Sequence, residues 1–259
     1  MAAGRMLRVA FLSSSECSHD RAWIEGLAPF VEGYWIHTEG YSPVVPDLIR
    51  GSSAAIPQLL SILPSVSQRK TLRNIRSLLS DWRIDLVHAM YASPHAVWAS
   101  LTGLPYLVTL RGSDLFQDAK ALHAPKGLLQ HLSFPVRRRL FRTAMHGAAV
   151  VTGTSNKLLD SAGEWGVDPA RLRPVRTGVA SEMFSLRSER AARPIREILS
   201  MRRVAPLYNT LAIVEGFSLL CGAYRDLRLT IIDEGVNPAY SARVRERVVA
   251  LKLEDRCRF

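Results

Sequence analysis

The amino-acid sequence predicts an α/β protein built on parallel β-sheets. Short runs that are apolar throughout alternate along the chain with longer segments whose apolar residues recur at helical spacing. Such strands are typical of parallel sheets buried on both faces, and strands separated by helices form βαβ units. Hydrophobic residues make up 47% and charged residues 22% of the 259-residue chain, which excludes general disorder. We therefore expect successive βαβ units.

The first predicted unit covers residues 1–185. Apolar runs predict its strands, which are Leu7–Leu12, Glu32–His37, Asp85–Ala89, Leu104–Leu110, Ala148–Thr152 and Leu172–Thr177. Apolar residues at helical spacing predict its helices, which are His19–Phe30, Gln68–Trp82, Pro94–Thr102, an arginine-rich stretch before Ala148, and Lys157–Glu164. The segment from Pro43 to Pro64 is rich in Pro, Gly and Ser, which favours a loop with a short helix.

A polar segment at residues 186–194 is predicted to be a linker, and a second unit is predicted at residues 195–259. Its predicted strands are Ile195–Met201, Leu227–Ile232 and Arg256–Phe259. Its predicted helices are Thr210–Leu220 and Ser241–Leu251. These elements amount to about half of a doubly wound domain, so we expect the second domain to be incomplete.

The chain is strongly basic, with 34 Lys and Arg residues against 23 Asp and Glu residues and a net charge of +11. Residues 119–157 contain no acid, and they include Arg137, Arg138, Arg139 and Arg142. A basic surface favours phosphates, nucleic acid or an acidic membrane as partners. Nucleic acid is the least favoured of these, because the basic residues are not interleaved with stacking aromatic residues.

The cysteines and the apolar runs indicate the compartment. No run approaches the roughly 18 apolar residues of a membrane helix, and the apolar run near the N-terminus is too short for a signal peptide. Cys17, Cys221 and Cys257 are too widely spaced for a zinc site or a disulfide framework. We expect a cytoplasmic protein with reduced thiols and no metal site.

Loops at the carboxyl ends of parallel strands are where ligands bind in such sheets. Ser14 and His19 follow the first strand, and a helix N-terminus there suits an anionic or hydroxyl-rich ligand. His88 and Tyr91 end a later strand and suit a polar substrate. Helix capping or a satisfied buried pair explains these residues equally well, so both interpretations stay open.

The sharpest local signal is Arg111-Gly112-Ser113-Asp114, directly after the strand Leu104–Leu110. Gly112 permits a positive φ angle, and Arg111 carries a planar donor fork suited to a carboxylate or phosphate. A turn with a capping Asp114 or Ser113 is the alternative interpretation.

Two further loops follow predicted strands. Ser155 is predicted to cap the helix that begins at Asn156. Arg202 and Arg203 follow the first strand of the second unit, where a cation suits a diphosphate. Solvent exposure without a ligand is the alternative for this arginine pair.

Several standard catalytic motifs do not occur in the sequence: HExxH, GxSxG, a phosphate-binding P-loop and an EF-hand loop. The first strand is not followed by GxGxxG, which counts against a dinucleotide-dependent dehydrogenase. The catalytic residues therefore stay unassigned.

Five segments, in order, resemble the glycosyltransferases of family 4. The first is LRVAFLSS…SHDRAWIEGLA, and the second is DLVHAMYASPHAVWASLTGLPYLVTLRGSDL. The third is AAVVTGTSNKLLDSAGEWGVDPARLRPVRTGVASEMF, and EILSMRRVAPLYNTLAIVEGFSLL and LRLTIIDEG complete the set. The resemblance runs nearly from end to end of the chain.

This resemblance implies a GT-B architecture of two Rossmann-like domains. It implies that residues 1–185 form the acceptor domain and that residues 195–259 begin the domain that binds the nucleotide sugar. The implied activity is retaining transfer of a sugar from a nucleotide-diphosphate sugar, without a metal or other cofactor. The implied acceptor is a glycan, a lipid-linked acceptor or a small molecule.

The sequence departs from the family pattern at several positions. Arg111 stands where the family often has histidine, and Thr177 and Ala180 replace the Asn and Asp of the family's NGVD. Arg203 matches the arginine that binds the donor diphosphate, but Tyr208 stands where the family has a lysine. Asp233-Glu234-Gly235 replaces a GxG turn, and the family's Glu-x7-Glu block would lie beyond Phe259.

Two hypotheses follow from the resemblance and its departures. In the first, the chain is a truncated glycosyltransferase whose arginine cluster, Arg137 to Arg142, contacts an anionic membrane at its inner face. In the second, the chain is a non-catalytic binding module that lacks a complete donor site.

Overall fold

The computed structural model describes residues 5–13, 18–38, 46–56, 66–118, 128–176, 178 and 196–259. The chain divides into two compact units, Met1–Val179 and Ala180–Phe259. The predicted linker at residues 186–194 and the candidate Ser14 lie outside the described residues. The parallel α/β fold predicted from the sequence is confirmed.

Within the described residues, the first unit contains a parallel sheet of seven strands. The strands are β1 (Leu7–Ser13), β2 (Val31–Thr38), β3 (Ile49–Ile56), β4 (Leu86–Ala89), β5 (Tyr106–Thr109), β6 (Val150–Gly153) and β7 (Leu172–Pro174). Their order across the sheet is β3-β2-β1-β4-β5-β6-β7. The order reverses between β1 and β4, so the carboxyl ends of these two strands form the topological switch point.

Helices connect these strands. The α-helices of the first unit are α1 (Ser18–Leu27), α2 (Val66–Asp81), α3 (Val97–Thr102), α4 (Leu128–Gly147) and α5 (Asn156–Glu164). Short π-helical turns occupy Ala92–Ala96 and Asp114–Asp118, and short 3-10 turns occupy Pro46–Leu48 and Pro169–Arg171. The predicted helix Pro94–Thr102 is therefore a π-turn followed by α3. Gly103, with φ at 89°, ends α3.

The strand β3 contradicts the loop that was predicted between Pro43 and Pro64. This strand lies at the edge of the sheet and pairs with β2, with register shifts at both of its ends. A Cβ atom added at Gly51 would lie 3.3 Å from the ring of Trp82, so the strand passes close to that ring. The prediction was wrong because Gly and Ser have weak strand propensity, which pairing with β2 overrides.

The two faces of the first sheet have separate cores. Ala10 and Leu12 of β1 face the larger core, which includes Phe141 of α4. Val9 and Phe11 point to the opposite face. This alternation follows from the two-residue period of a strand, and burial of both faces explains why the run is apolar throughout.

The second unit has its own core and its own sheet of three parallel strands among the described residues. Its strands are β8 (Glu197–Ser200), β9 (Arg228–Ile231) and β10 (Cys257–Arg258), in the order β10-β9-β8. Its α-helices are α6 (Thr210–Leu220) and α7 (Pro238–Ala250). In the part of the chain that the structure describes, no helix is long and apolar enough to cross a membrane.

Candidate functional site

The candidate site lies at the switch point of the first sheet, where β1, α1 and the loops after β4 and β5 meet. Its central contact is an ion pair between Asp20 of α1 and Arg111 of the loop after β5. Nη2 of Arg111 lies 2.6 Å from Oδ1 of Asp20, and the two side chains are only 12% and 8% exposed. Asp20 sits near the N-terminus of α1, where a carboxylate interacts favourably with the helix dipole.

Further hydrogen bonds fix both partners of this pair. Nε of Arg111 donates to the carbonyl oxygen of Met90 at 3.2 Å. The hydroxyl of Ser13, the last residue of β1, donates to the other carboxylate oxygen of Asp20. The pair therefore connects the ends of β1 and β4 to the loop after β5. Because Asp20 already balances the charge of Arg111, this arginine is held as part of the scaffold of the site.

Asp114 supports the same loop from beneath. Its buried carboxylate accepts backbone N–H groups from Ala92, Arg111, Gly112 and Leu115 at 2.8 to 3.2 Å. Burial raises the pKa of Asp114, and the four N–H donors oppose that increase. Gly112 has a φ of 99°, a positive value that glycine was predicted to allow at this position.

Two hydroxyl groups face each other above this support. Oη of Tyr91 and Oγ of Ser113 are 2.7 Å apart, and both residues are partly exposed. Each hydroxyl can donate one hydrogen bond and accept others. The two hydroxyls are thus partners of each other, and Tyr91 and Ser113 stay candidate residues for binding a polar ligand.

His88 is buried below the site and belongs to a chain of hydrogen bonds. Its Nε2 lies 2.7 Å from Oγ1 of Thr109, which lies 2.8 Å from Oγ1 of Thr152. Burial, and then the charge of Arg111, lower the pKa of His88 to about 3. His88 is therefore neutral at pH 7. The indole of Trp23 packs edge-on against its ring, with centroids 5.3 Å apart.

Two residues that sequence reasoning missed belong to this region. Asp20 could have been recognised from the sequence, because it lies in the first turn of the helix after the first strand, where an acidic residue interacts favourably with the helix dipole. His95 is fully buried, its ring centroid lies 6.4 Å from that of Tyr91, and burial lowers its pKa to about 3. Neither ring nitrogen of His95 has a hydrogen-bond partner among the described residues. The predicted His19 lies in α1, but its side chain is outside the described part of the chain.

In the second unit, the predicted donor-site residue Arg203 follows β8 and forms an exposed ion pair with Glu234, at 3.2 Å. The guanidinium of Arg202 lies 5.4 Å from the ring centroid of Tyr208. Asp233 accepts hydrogen bonds from the hydroxyl of Ser241, the backbone N–H of Gly235 and the guanidinium of Arg245, and these bonds lower its pKa. The loops after β8 and β9 therefore lie side by side.

The helix caps and the arginine cluster were also predicted. Oγ of Ser155 accepts the N–H of Leu158 at 3.3 Å, which confirms the predicted cap of α5. On α4, Arg138, Arg139 and Arg142 are exposed and line a surface hollow of about 500 Å³, whereas Arg137 is half-buried. The described residues contain no group of three His, Cys, Asp or Glu side chains that could hold a metal ion.

Comparison with known proteins places the first unit in a family. The model of the glycosyl transferase 4-like domain matches residues 31–178, which is more than half of the chain. No curated protein sequence matches the chain.

Solved structures are similar to the chain over almost its whole length. HepE of Anabaena, in complex with UDP, is 10% identical with a TM-score of 0.72, and the match covers 98% of this chain and 68% of HepE. A glycosyltransferase from Rickettsia africae is 17% identical with a TM-score of 0.67, covering 97% and 67%. Sucrose-phosphate synthase from Thermosynechococcus elongatus is 14% identical with a TM-score of 0.65, covering 98% and 70%.

Sequence identities this low show only that the chain shares the fold of these solved structures, which is that of GT-B glycosyltransferases. The family assignment rests on the match to the glycosyl transferase 4-like domain. That domain contains β4, β5 and the loops that carry Tyr91, Arg111 and Asp114. The chain belongs to the glycosyl transferase 4-like family.

Proposed function

We propose that this chain transfers a sugar from a nucleotide-diphosphate sugar to an acceptor held at the switch point of its first unit. The observation that carries the proposal is the hydrogen-bonded cluster of Asp20, Arg111 and Asp114 at the switch point. Next to it in the chain, the hydroxyls of Tyr91 and Ser113 meet within the matched family domain. Sites held on strand ends by buried hydrogen bonds are suited to positioning a reacting hydroxyl.

The donor would bind at the loops after β8 and β9, where Arg203 lies. During transfer the bond between the anomeric carbon and the diphosphate oxygen breaks, and a bond to the acceptor oxygen forms as that oxygen passes its proton to the departing diphosphate. The departing diphosphate gains negative charge, which a guanidinium stabilises. HepE is known in complex with UDP, which supports a nucleotide as the ligand. We propose that no metal or other cofactor takes part.

Two observations favour the second candidate, a non-catalytic binding module. Arg203 is already paired with Glu234, and Tyr208 stands where the family has a lysine. An exposed pair of this kind contributes little stability, so a diphosphate could displace Glu234. Whether it does so distinguishes the two candidates.

The test is titration calorimetry of the chain with UDP, GDP and their sugar conjugates, followed by assay of product release in the presence of acceptors. We expect binding of one nucleotide, weakened about tenfold by Arg203→Met because a charge-assisted hydrogen bond is lost. Glu234→Gln should tighten binding, because it releases Arg203. Arg225→Met, at an exposed site elsewhere in the second unit, is the matched control. Nucleotide binding with turnover would contradict the binding module, and no nucleotide binding at all would contradict sugar transfer by this chain.

We also propose that α4 contacts an anionic membrane, at the cytoplasmic face, through Arg138, Arg139 and Arg142. Clustered arginines with exposed Val136 and Leu140 combine charge with apolar surface. Sedimentation with phosphatidylglycerol vesicles should fall when the three arginines become Gln. The matched control replaces Arg69, Lys70 and Arg73, which are exposed on α2. Equal binding to neutral phosphatidylcholine vesicles would contradict this proposal.

A further inference from the structure

A cavity of about 230 Å³ lies beside α1 in the first unit. One wall is the face of α1 that carries Trp23, Gly26 and Leu27, and the other is the segment after β7 that carries Val175 and Arg176. The N–H of Val175 donates to the carbonyl oxygen of Gly153 at 2.9 Å, so this segment begins at the carboxyl end of β7, beside the carboxyl end of β6. The cavity therefore opens on the side of the sheet where the candidate site lies.

Trp23 connects the cavity to the candidate site. Its indole lines the cavity and packs edge-on against His88, with ring centroids 5.3 Å apart. His88 in turn is hydrogen-bonded to Thr109 at the end of β5. A ligand group in the cavity would thus lie against the same aromatic side chain that covers the buried histidine of the site.

The lining of the cavity is mainly apolar. Ala22, Trp23, Leu27 and Val175 supply hydrocarbon and aromatic surface, and Arg176 is the charged side chain among the described lining residues. Sugar hydroxyls packed against such walls would find few hydrogen-bond partners there. A hydrocarbon chain would gain from the same burial. The guanidinium of Arg176 suits a phosphate at the end of that chain.

We propose that this cavity binds the proximal hydrocarbon part of a lipid-phosphate acceptor, with the phosphate at Arg176. The inference rests on the proposed function, because it names the class of acceptor that the first unit holds. Drug-sized ligands need cavities of roughly 300–1,000 Å³. A volume of about 230 Å³ therefore fits the first part of a chain rather than a whole lipid.

Gly26 offers a direct way to fill the cavity. A Cβ atom added at Gly26 would meet no atom within 4 Å, so a larger side chain enters the open space without displacing the backbone. Leucine also has a higher helix propensity than glycine, which favours folding of the variant. Gly163 of α5 has the same open surroundings within a helix, so Gly163→Leu is the matched control.

The test is titration calorimetry of the full chain with decyl phosphate below its micelle concentration. Inorganic phosphate, decanol and glucose 1-phosphate are the comparison ligands. We expect decyl phosphate to bind more tightly than each of these. Gly26→Leu should weaken its binding at least about tenfold through lost hydrocarbon burial, and Gly163→Leu should leave it unchanged. Arg176→Gln should weaken decyl phosphate about tenfold but not decanol, because only the phosphate contact is lost.

Three results would overturn the inference: no binding of decyl phosphate, equal binding by the Gly26→Leu variant, or tighter binding of glucose 1-phosphate than of decyl phosphate. A nucleotide titration on the same samples distinguishes failure of this inference from failure of the proposed function. Nucleotide binding without decyl phosphate binding would overturn the lipid-phosphate acceptor alone. Decyl phosphate binding without nucleotide binding would contradict sugar transfer and leave the lipid site standing.

Discussion

Arg111 and Asp20 form a nearly buried ion pair, with Nη2 and Oδ1 at 2.6 Å, although 91 residues separate them in the sequence. The contact joins the start of α1 to the loop after β5, across the point where the strand order reverses. The sequence predicted that Arg111 suits a ligand, whereas the structure pairs it with Asp20 and makes it part of the scaffold of the candidate site.

The first prediction concerns the stability of this pair. Arg111→Met leaves the carboxylate of Asp20 without its cation, so we expect a loss of about 3 kcal/mol in the free energy of unfolding. The double variant with Asp20→Asn should lose less than the sum of the two single variants, because the pair is removed together. Urea unfolding of the four proteins measures this coupling.

The pair Arg21–Glu25 on the exposed surface of α1 is the control for this cycle. Its coupling should be no more than about 0.5 kcal/mol. Additive effects of Arg111→Met and Asp20→Asn would contradict the structure at this contact.

The second prediction concerns pH. Burial lowers the pKa of His88 and of His95 to about 3, below the value of about 6.5 in an unfolded chain. Between these two values the unfolded state binds more protons than the folded state. The free energy of unfolding is therefore highest above about pH 6.5 and decreases as the pH falls toward 3. Protonation of each histidine in the unfolded state should lower the free energy of unfolding by about 1.4 kcal/mol between pH 8 and pH 5.5.

Urea unfolding midpoints at several pH values measure this loss, and His95→Leu should reduce it by about half. His95→Leu should also stabilise the protein at pH 8 by about 1 kcal/mol, because it removes buried nitrogens that have no partner in the described structure. A midpoint that does not vary over this range would show that these histidines are not buried.

The third prediction concerns Asp114. Asp114→Ala removes the acceptor of four backbone N–H groups, so we expect a loss of at least about 3 kcal/mol in the free energy of unfolding. Asp160→Ala, at an exposed position of α5, should change it by less than about 0.5 kcal/mol. Thermal unfolding followed by circular dichroism compares the two variants, and similar midpoints would contradict the role of Asp114.

The fourth prediction contrasts two helical glycines. A Cβ atom at Gly147 would lie 2.6 Å from the hydroxyl of Tyr106, which donates to the carbonyl oxygen of Ala144 at 2.6 Å. Gly147→Ala should therefore destabilise the protein by about 1–3 kcal/mol through overpacking. Gly163→Ala, which meets no neighbour, should stabilise it by about 0.5–1 kcal/mol. Urea unfolding decides both, and a stabilising Gly147→Ala would contradict the packing of Tyr106.

Much of the fold could be predicted from local patterns. The apolar run at Leu7–Leu12 and the helix Thr210–Leu220 are found where their periodicity placed them. The strand β3 could not be predicted, because Gly51 and its neighbouring serines lie in a strand only through pairing with β2 and the approach of Trp82. The position of Arg111 after a strand was visible, but its pairing with a distant aspartate was not.

The sequence by itself determined the parallel α/β class and the loops that hold the candidate site, because burial on both faces and helical spacing are local patterns in the chain. The tertiary structure decided the roles within those loops. It paired Arg111 with Asp20, surrounded Asp114 with backbone N–H groups and brought the hydroxyls of Tyr91 and Ser113 together. Those roles depend on contacts between residues far apart in the sequence, which form only when the strand ends meet at the switch point.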